Sequence, residues 1–213
     1  MKTSKKKIAV IGAGGLASEI QWLIRDLKKY SFEGFYVTSS EFENSKTLGN
    51  IQDLKKKIEI GLIDCVVVGV GDPKTRQEIF EKTSSEIKNI FWETLIHPSV
   101  ILDKKTSIVD SGSIICAGSI ITTNVRISKN CLINLHSTIG HDTQIGSHCV
   151  VNPGSNISGN VTIGNNTLIG TGSSILQKIT IGEFVTVGAS ACVTKSIESG
   201  KTVVGIPAKE IKK

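Results

Sequence analysis

Hydrophobic positions follow two different spacings in the two halves of the chain. In the first half, the apolar run IAVI at Ile8–Ile11 ends at glycines and predicts a buried strand, and the segments EGFYVTS and IDCVVVGVG predict two more. Apolar residues at helical spacing lie after the first strand, at Ile20, Leu23, Ile24 and Leu27. Asp72 followed by Pro73 predicts the start of another helix. Strands that alternate with helices in this way indicate a small parallel sheet.

The second half has an aliphatic residue at every sixth position. From Val109 to Val193, all fifteen positions at this spacing are Ile or Val. Small or β-branched residues, such as Cys131, Thr143 and Cys149, come four positions after the aliphatic residue, and Gly often follows it directly. A period of six is neither the helical period nor strand alternation. It predicts short strands joined by corners at a fixed pitch, which is a hexapeptide β-solenoid.

Composition divides the chain at the same place. Both Trp, both Tyr and five of the six Phe precede residue 97, and only Phe184 follows it. An interior filled by stacked Ile and Val has little room for rings. The segment LIHPSV marks the transition, so we predict one domain over residues 1–96 and a second over residues 97–213.

Hydropathy, cysteine content and net charge limit the compartment and the ligands that we expect for the protein. The chain has no run of 18 apolar residues, and IAVI is too short for a secretory signal, so no membrane association is expected. Five cysteines without a CxxC motif favour a reducing cytoplasm over a disulfide framework. The net charge of +6 suits an anionic ligand, but nucleic acid, nucleotides and coenzyme A all fit that description.

The ordered combination of IAVIGAGG, VVGVGDPKTRQEI, LIHPSV, NLHSTIGHDTQIG and GIPAKEI resembles one family of hexapeptide acyltransferases. These are the bacterial nucleotide-4-amino-sugar N-acetyltransferases and sialic-acid O-acetyltransferase-like proteins of surface-sugar pathways. The resemblance implies a Rossmann-like nucleotide-sugar-binding domain followed by a left-handed parallel β-helix. It also implies a cytoplasmic homotrimer that binds acetyl-CoA in the groove between neighbours, without a metal and without a nucleic-acid or membrane partner.

Three of the four histidines, His136, His141 and His148, lie in successive hexads. On a three-sided coil they would face three different sides, and each side is about 15 Å long. Zinc needs its nitrogen ligands at about 2 Å, so a metal site built from these three is not expected within one chain. We expect His136 and His148 to be surface residues. His97 is expected to lie at the cap of the solenoid.

His141 followed by Asp142 matches the catalytic histidine and acidic residue of the family. An acceptor amine must lose a proton as it attacks a thioester, and an imidazole is suited to take it near neutral pH. The resemblance therefore implies His141 as the general base and Asp142 as the carboxylate that orients it. Without the resemblance, a solvated corner histidine would be the preferred interpretation. The family also implies a set of residues near acetyl-CoA, which are Asn134, Gly159, Thr171, Gly188 and Ala189.

The glycine loop GAGGLA fits G-x-G-x-x-A after a strand and before a helix, which is a phosphate-binding turn. NAD is disfavoured, because Val37 and Thr38 stand where NAD-binding domains carry an acidic residue. The resemblance implies that this domain binds the nucleotide sugar, and a purely structural domain is the alternative. The residues expected in this role are Gly12, Gly14, Gly15, Leu16, Val37, Thr38 and Gly71, with Asp72 nearby.

The chain departs from the family pattern at three places. Leu16 replaces a histidine, Val37 with Thr38 replaces an Asp pair, and Val150 replaces a second histidine. We therefore expect the changes to concentrate in an acceptor pocket around Leu16 and Val37. The predicted function is N-acetylation of a nucleotide-linked amino sugar, in particular a 4-amino-4,6-dideoxy sugar. O-acetylation of a sugar or sialic-acid hydroxyl and a non-catalytic trimeric binding module are the alternatives.

Overall fold

The computed structural model describes residues 5–38 and 46–211. Its first part is a four-stranded parallel sheet in the order β3-β2-β1-β4 with three helices. The elements are β1 (Lys6–Ile11), α1 (Gly15–Leu27), β2 (Tyr30–Val37), β3 (Thr47–Asn50), α2 (Ile51–Glu59), β4 (Cys65–Val68) and α3 (Pro73–Glu86). The predicted parallel sheet is confirmed.

Local chemistry sets the helix boundaries. Asp72 accepts a hydrogen bond from the Thr75 amide at 2.8 Å, and Pro73 opens α3, as the sequence predicts. The pattern of apolar residues does not predict β3 and α2. The start of α2 is set by a capping box, in which Asn50 Oδ1 accepts from the Asp53 amide and Asp53 Oδ2 accepts from the Asn50 amide.

The second part is a parallel β-solenoid whose short strands form three sheets, named faces 1, 2 and 3. Face 1 contains β5 (Leu95–Ile96), β8 (Ile114–Ile115), β11 (Leu132–Ile133), β14 (Val150–Val151), β17 (Leu168–Ile169), β20 (Thr186–Val187), β22 (Thr202–Val204) and β23 (Lys209–Glu210). Face 2 contains β6 (Ile101–Leu102), β9 (Ile120–Ile121), β12 (Thr138–Ile139), β15 (Asn156–Ile157), β18 (Ser174–Ile175) and β21 (Cys192–Val193). Face 3 contains β7 (Ile108–Val109), β10 (Arg126–Ile127), β13 (Gln144–Ile145), β16 (Thr162–Ile163) and β19 (Thr180–Ile181).

The six-residue period places the aliphatic residue of each hexad inside the coil. Ile139 pairs with Ile157 and Ile145 with Ile163, so one full coil takes 18 residues. The aliphatic residue of each hexad faces inward and is buried in a single core, apart from the partly buried Val109 in the first coil. The predicted fold class, a left-handed β-helix preceded by an α/β domain, is confirmed.

The corners of the coil also repeat every six residues. One residue at each corner has left-handed backbone angles, for example Asn124 (φ 55°), His136 (φ 53°) and Asp142 (φ 59°). Small polar side chains line the inside of the corners, where Cys131 Sγ donates to the Gly146 carbonyl and Cys149 Sγ to that of Gly164, both at 3.0 Å. The two cysteines are free and buried, as their spacing predicts.

The α/β part covers face 1 of the solenoid. The outward-facing Ile114, Leu132 and Val150 are completely buried in a core that also contains Ile8 and Val10 of β1. Val150, which stands where the family has a second histidine, therefore packs between the two parts. Strand pairing of the solenoid begins at Leu95, which pairs with Ile114. The domain division between residues 96 and 97 stays a prediction.

Candidate active site

The three histidines lie on three different edges of the solenoid, as the six-residue period predicts. His136 follows β11 on edge 1–2, between faces 1 and 2. His141 follows β12 on edge 2–3, and His148 follows β13 on edge 3–1. Within residues 5–38 and 46–211, no group of three His, Cys, Asp or Glu side chains is arranged to hold a metal ion.

His141 forms a hydrogen-bonded pair with Asp142 on edge 2–3. His141 Nδ1 lies 2.7 Å from Asp142 Oδ2, and Asn124 Nδ2 donates to Asp142 Oδ1 at 3.1 Å. The hydrogen bond with His141 and then that from Asn124 hold the pKa of the Asp142 carboxyl below its usual range. Because a carboxylate only accepts, Nδ1 carries the proton of a neutral imidazole and Nε2 keeps its lone pair. This is the tautomer that a general base requires.

Asn124 is a site residue that the sequence patterns do not single out. It lies 18 residues before Asp142, one coil earlier on the same edge, and both residues have left-handed backbone angles. Corner residues at this spacing lie one above the other in a solenoid. Counting one coil, 18 residues, back from Asp142 would therefore have identified Asn124 from the sequence.

Gly159 lies directly beneath the imidazole of His141, one coil later on edge 2–3. A Cβ atom added to Gly159 would lie 2.4 Å from His141 Nε2. The side chain of His141 is 57% exposed, so Nε2 opens to solvent on one side and to the Gly159 main chain on the other. The absence of a side chain at residue 159 leaves room for this placement of the base.

The other residues predicted to contact acetyl-CoA lie on edge 1–2 or at its start. The Ser190 amide donates to the Thr171 carbonyl at 2.8 Å, which stacks Ala189 one coil beyond Thr171, with Gly188 beside it. Asn134 lies on the same edge, and its side-chain oxygen accepts from the Leu135 amide at 2.8 Å. Edges 1–2 and 2–3 border face 2 from opposite sides. A ligand that contacts both groups must therefore span face 2 or lie between two copies of the chain.

A cleft of about 320 Å³ lies at the carboxyl ends of β1 and β2, where open α/β sheets bind their ligands. Its lining includes Gly12, Gly14, Val37 and Thr38 among the residues predicted to bind the nucleotide sugar. Gly12 has φ of 123°, and a Cβ atom there would lie 2.9 Å from the Gly69 carbonyl oxygen. Only glycine fits this contact between the glycine loop after β1 and a second glycine loop after β4, residues 69–71.

Leu16 does not line the cleft that contains Val37. It lies in a separate shallow depression against the solenoid, together with His97, Ala117 and Leu135. A Cβ atom added to Gly71 would lie 3.5 Å from Leu16 Cδ2, so these two residues adjoin. Gly15 is the first residue of α1. The expectation of one acceptor pocket around Leu16 and Val37 is therefore corrected to two separate surfaces, on either side of the glycine loop.

His136 and His148 have different environments. His136 is exposed, as predicted, and its Nδ1 would lie 2.5 Å from a Cβ atom added to Gly118. The expectation that His148 is a surface residue is wrong, because α3 covers it and leaves it only 3% exposed. Burial, followed by the nearby charge of Lys129, lowers the pKa of His148 to about 4. The six-residue period alone does not show which edge the α/β part covers.

Two family models match the chain. The PglD N-terminal domain matches residues 7–83, and the bacterial transferase hexapeptide (six repeats) matches residues 160–195. A search of curated protein sequences gave no match. No helix within the described ranges is long and apolar enough to cross a membrane.

Solved structures of similar proteins extend over nearly the whole chain. The acetyltransferase domain of PglB from Neisseria gonorrhoeae is 28% identical with a TM-score of 0.87, over 97% of this chain and 100% of its own. WeeI from Acinetobacter baumannii is 26% identical with a TM-score of 0.82, over 97% and 100%. PerB from Caulobacter crescentus, solved with CoA and GDP-perosamine, is 23% identical with a TM-score of 0.89, over 98% and 99%, which shows a shared fold. The chain therefore combines a PglD-type N-terminal domain with bacterial transferase hexapeptide repeats, as the resemblance predicts, and shares its fold with these sugar acetyltransferases.

Proposed function

We propose that the protein transfers the acetyl group of acetyl-CoA to the amino group of a nucleotide-linked amino sugar, with a 4-amino-4,6-dideoxy sugar as the acceptor. The observation that carries this proposal is the His141–Asp142 pair, with Nδ1 bonded to the carboxylate and Nε2 free above Gly159. The acetyltransferase domain of PglB, a similar protein, has also been solved with acetyl coenzyme A. The cleft between the two glycine loops supports an acceptor whose nucleotide part binds there.

The proposed reaction is a direct transfer in which His141 is the base. The acceptor nitrogen attacks the thioester carbonyl carbon, and its proton passes to His141 Nε2. The tetrahedral intermediate then expels the CoA thiolate, which takes up the proton from the His141 imidazolium, so that the free thiol leaves and the base is regenerated. Asp142 stabilises the imidazolium while it exists, and Asn124 holds Asp142 in place.

An acyl-enzyme intermediate is not part of this proposal. Cys131 and Cys149 lie inside the coil with no exposed surface, and each thiol donates to a main-chain carbonyl. Burial raises the pKa of the Cys149 thiol well above its usual value, which suppresses the nucleophilic thiolate. Neither cysteine has the features of a reactive nucleophile.

The proposal includes a homotrimer with acetyl-CoA between neighbouring subunits. Gly159 lies on edge 2–3 with His141, whereas Thr171, Gly188 and Ala189 lie at edge 1–2. Edge 2–3 of one subunit placed against edge 1–2 of the next would bring both groups to one ligand. This arrangement supports a groove between copies over a site confined to one chain.

The test is release of CoA thiol from acetyl-CoA with a panel of UDP-, dTDP- and GDP-linked amino sugars and with free sialic acid. We expect thiol release with at least one amino sugar, together with a product whose mass is larger by one acetyl group. Release with sialic acid alone would favour O-acetylation. Release above background with none of these acceptors would contradict both enzymatic functions and favour a binding module. The control is the variant His141→Ala.

A further inference from the structure

Arg76 is a completely buried cation at the junction between α3 and the solenoid. An arginine has five N–H donors, and all five are used here. Each of them donates to a carbonyl oxygen, either of the main chain or of an amide side chain, and none to a carboxylate. Burial lowers the pKa of Arg76 to about 10, so the guanidinium is still charged at neutral pH.

One side of the guanidinium holds the loop that follows β4. Arg76 Nη1 donates to the carbonyl of Val68 at 3.1 Å and to that of Val70 at 2.8 Å. Val70 lines the nucleotide cleft, and Gly69, between the two carbonyls, is the residue against which Gly12 packs. The position of Arg76 therefore determines the position of one wall of the cleft.

The other side of the guanidinium is bound to the solenoid. Nε and Nη2 donate to the Asn130 carbonyl at 3.2 and 3.1 Å, and Nη2 also donates to Asn130 Oδ1 at 3.0 Å. The side-chain nitrogen of Asn130, Nδ2, donates to the Arg76 main-chain carbonyl at 3.0 Å and lies 2.9 Å from His148 Nδ1. Asn130 is a corner residue of edge 3–1 with φ of 54° and is completely buried.

We propose that Arg76, Asn130 and His148 are positioning residues that couple the nucleotide cleft to the solenoid. The inference rests on the proposed function, since it assigns the cleft to the acceptor nucleotide. The planar guanidinium of Arg76 binds the loop after β4 through Val68 and Val70 on one side, and the solenoid corner at Asn130 on the other, with all its donors used. The loop is thereby held in register with the scaffold that carries His141. Hydrogen bonds in a buried network have large effects, because each lost partner leaves a polar group unsatisfied.

The test uses two variants and a control on the full chain. Asn130→Gly removes the amide group while it retains the main-chain carbonyl, and glycine accepts the left-handed angles of the corner. Arg76→Met removes all five donors with similar volume. The control is Ser84→Ala on the same helix, α3, which removes the acceptor of the hydrogen bond from Trp92 Nε1 and does not contact the loop.

Two readouts separate this inference from the proposed function. Hydrogen exchange at the amides of Gly69 to Gly71 needs no substrate, and we expect it to accelerate about tenfold in Asn130→Gly relative to the control. In the acetyl-transfer assay, we expect KM for the nucleotide sugar to rise about tenfold, with KM for acetyl-CoA unchanged. If the wild-type protein turns over no acceptor, the proposed function fails and the exchange measurement alone decides the coupling.

The coupling is refuted if exchange at Gly69 to Gly71 in Asn130→Gly equals that of Ser84→Ala. Equal increases in KM for both substrates would also overturn it, because a general loss of structure affects both sites. If Arg76→Met does not fold, Asn130→Gly carries the test, with His148→Asn, which keeps an acceptor for Asn130 Nδ2, as a second control. Asparagine occupies the same left-handed corner position in neighbouring coils, at Asn130 and Asn166, so His148→Asn is compatible with the backbone.

Discussion

The imidazole of His141 lies against the main chain of Gly159, with Nε2 only 2.4 Å from the place where a side chain of residue 159 would begin. The two residues are 18 positions apart and occupy the same edge in successive coils. A residue one coil away thus sets the space available to the base. The contact involves the end of an exposed side chain, so a change at Gly159 would displace His141 and leave the backbone in place.

Gly159→Ala should lower kcat by about 100-fold with little loss of stability, because a displacement of about 1 Å at a reacting group has an effect of this size. Steady-state acetyl transfer and the thermal unfolding midpoint are the measurements. Ser158→Ala, at an exposed neighbouring position, is the matched control and should retain activity. Normal turnover of Gly159→Ala would show that Nε2 is not the atom that takes the proton.

His141→Ala should lower kcat by at least about 100-fold, because it removes the general base. His136→Ala removes another exposed imidazole, on edge 1–2, and should leave kcat nearly unchanged. Both variants are compared in the thiol-release assay at saturating acetyl-CoA. Loss of activity in His136→Ala with retention in His141→Ala would place the base on edge 1–2 instead.

The repeat made the solenoid predictable, whereas the surfaces created by its contact with the α/β part were not. Fifteen aliphatic positions at a period of six fix the inward residues, the coil length and the separation of the histidines. The burial of His148 depends on Phe80 of α3, whose ring lies 5.6 Å from the imidazole. A period within the solenoid has no information about such a contact.

The burial of Arg76 could not be predicted from the sequence for the same reason, because it depends on a contact of the α/β part with the solenoid. In DPKTRQEIF it reads as a polar residue near the start of a helix, yet it is completely buried and bonded to Asn130. The pairing joins residues 54 positions apart and requires the docking of two domains. Leu16 and Val37 likewise lie close in the expected pocket but face different surfaces once the glycine loop is built.

Asp142→Asn tests whether charge, beyond orientation, is required next to the base. Asparagine fits the left-handed corner, as Asn124 shows one coil earlier, so the fold should be retained. The amide does not stabilise the imidazolium as the carboxylate does, and kcat should fall at least about tenfold. The pH profile of kcat measures the effect. A variant with unchanged kcat across that profile would leave Asp142 with a purely structural role.

Asn124→Gly tests the support of Asp142 by the preceding coil. It removes the 3.1 Å hydrogen bond to Asp142 Oδ1 and is compatible with φ of 55°. Loss of a bond to the ionised form should raise the pKa of the Asp142 carboxyl towards its usual value. A carboxyl-carbon NMR titration measures this change. Asn160→Gly, at the corresponding corner one coil beyond Asp142, is the control, and an unchanged Asp142 titration in Asn124→Gly would contradict the assigned contact.

The buried His148 should make stability depend on pH in mildly acidic solution. Its pKa is about 4 in the folded protein, against an ordinary value of 6.5, because burial and the positive charges of Lys129 and Arg76 outweigh Glu81. The unfolded chain therefore takes up the proton first as pH falls. The stability due to neutral His148 is present above pH 6.5 and is lost as pH falls from 6.5 to 4, by up to about 1.4 kcal/mol per pH unit.

His148→Asn removes the titrating group while it keeps an acceptor for Asn130 Nδ2 and suits the left-handed corner. Urea unfolding at pH 7 and pH 5 measures the free energy of unfolding of both proteins. We expect the wild type to lose more of it than the variant between these values, since carboxylates elsewhere titrate equally in both. His136→Ala, which removes an exposed histidine, should follow the wild type. Parallel losses in wild type and His148→Asn would mean that His148 is protonated as easily in the folded protein as in the unfolded chain.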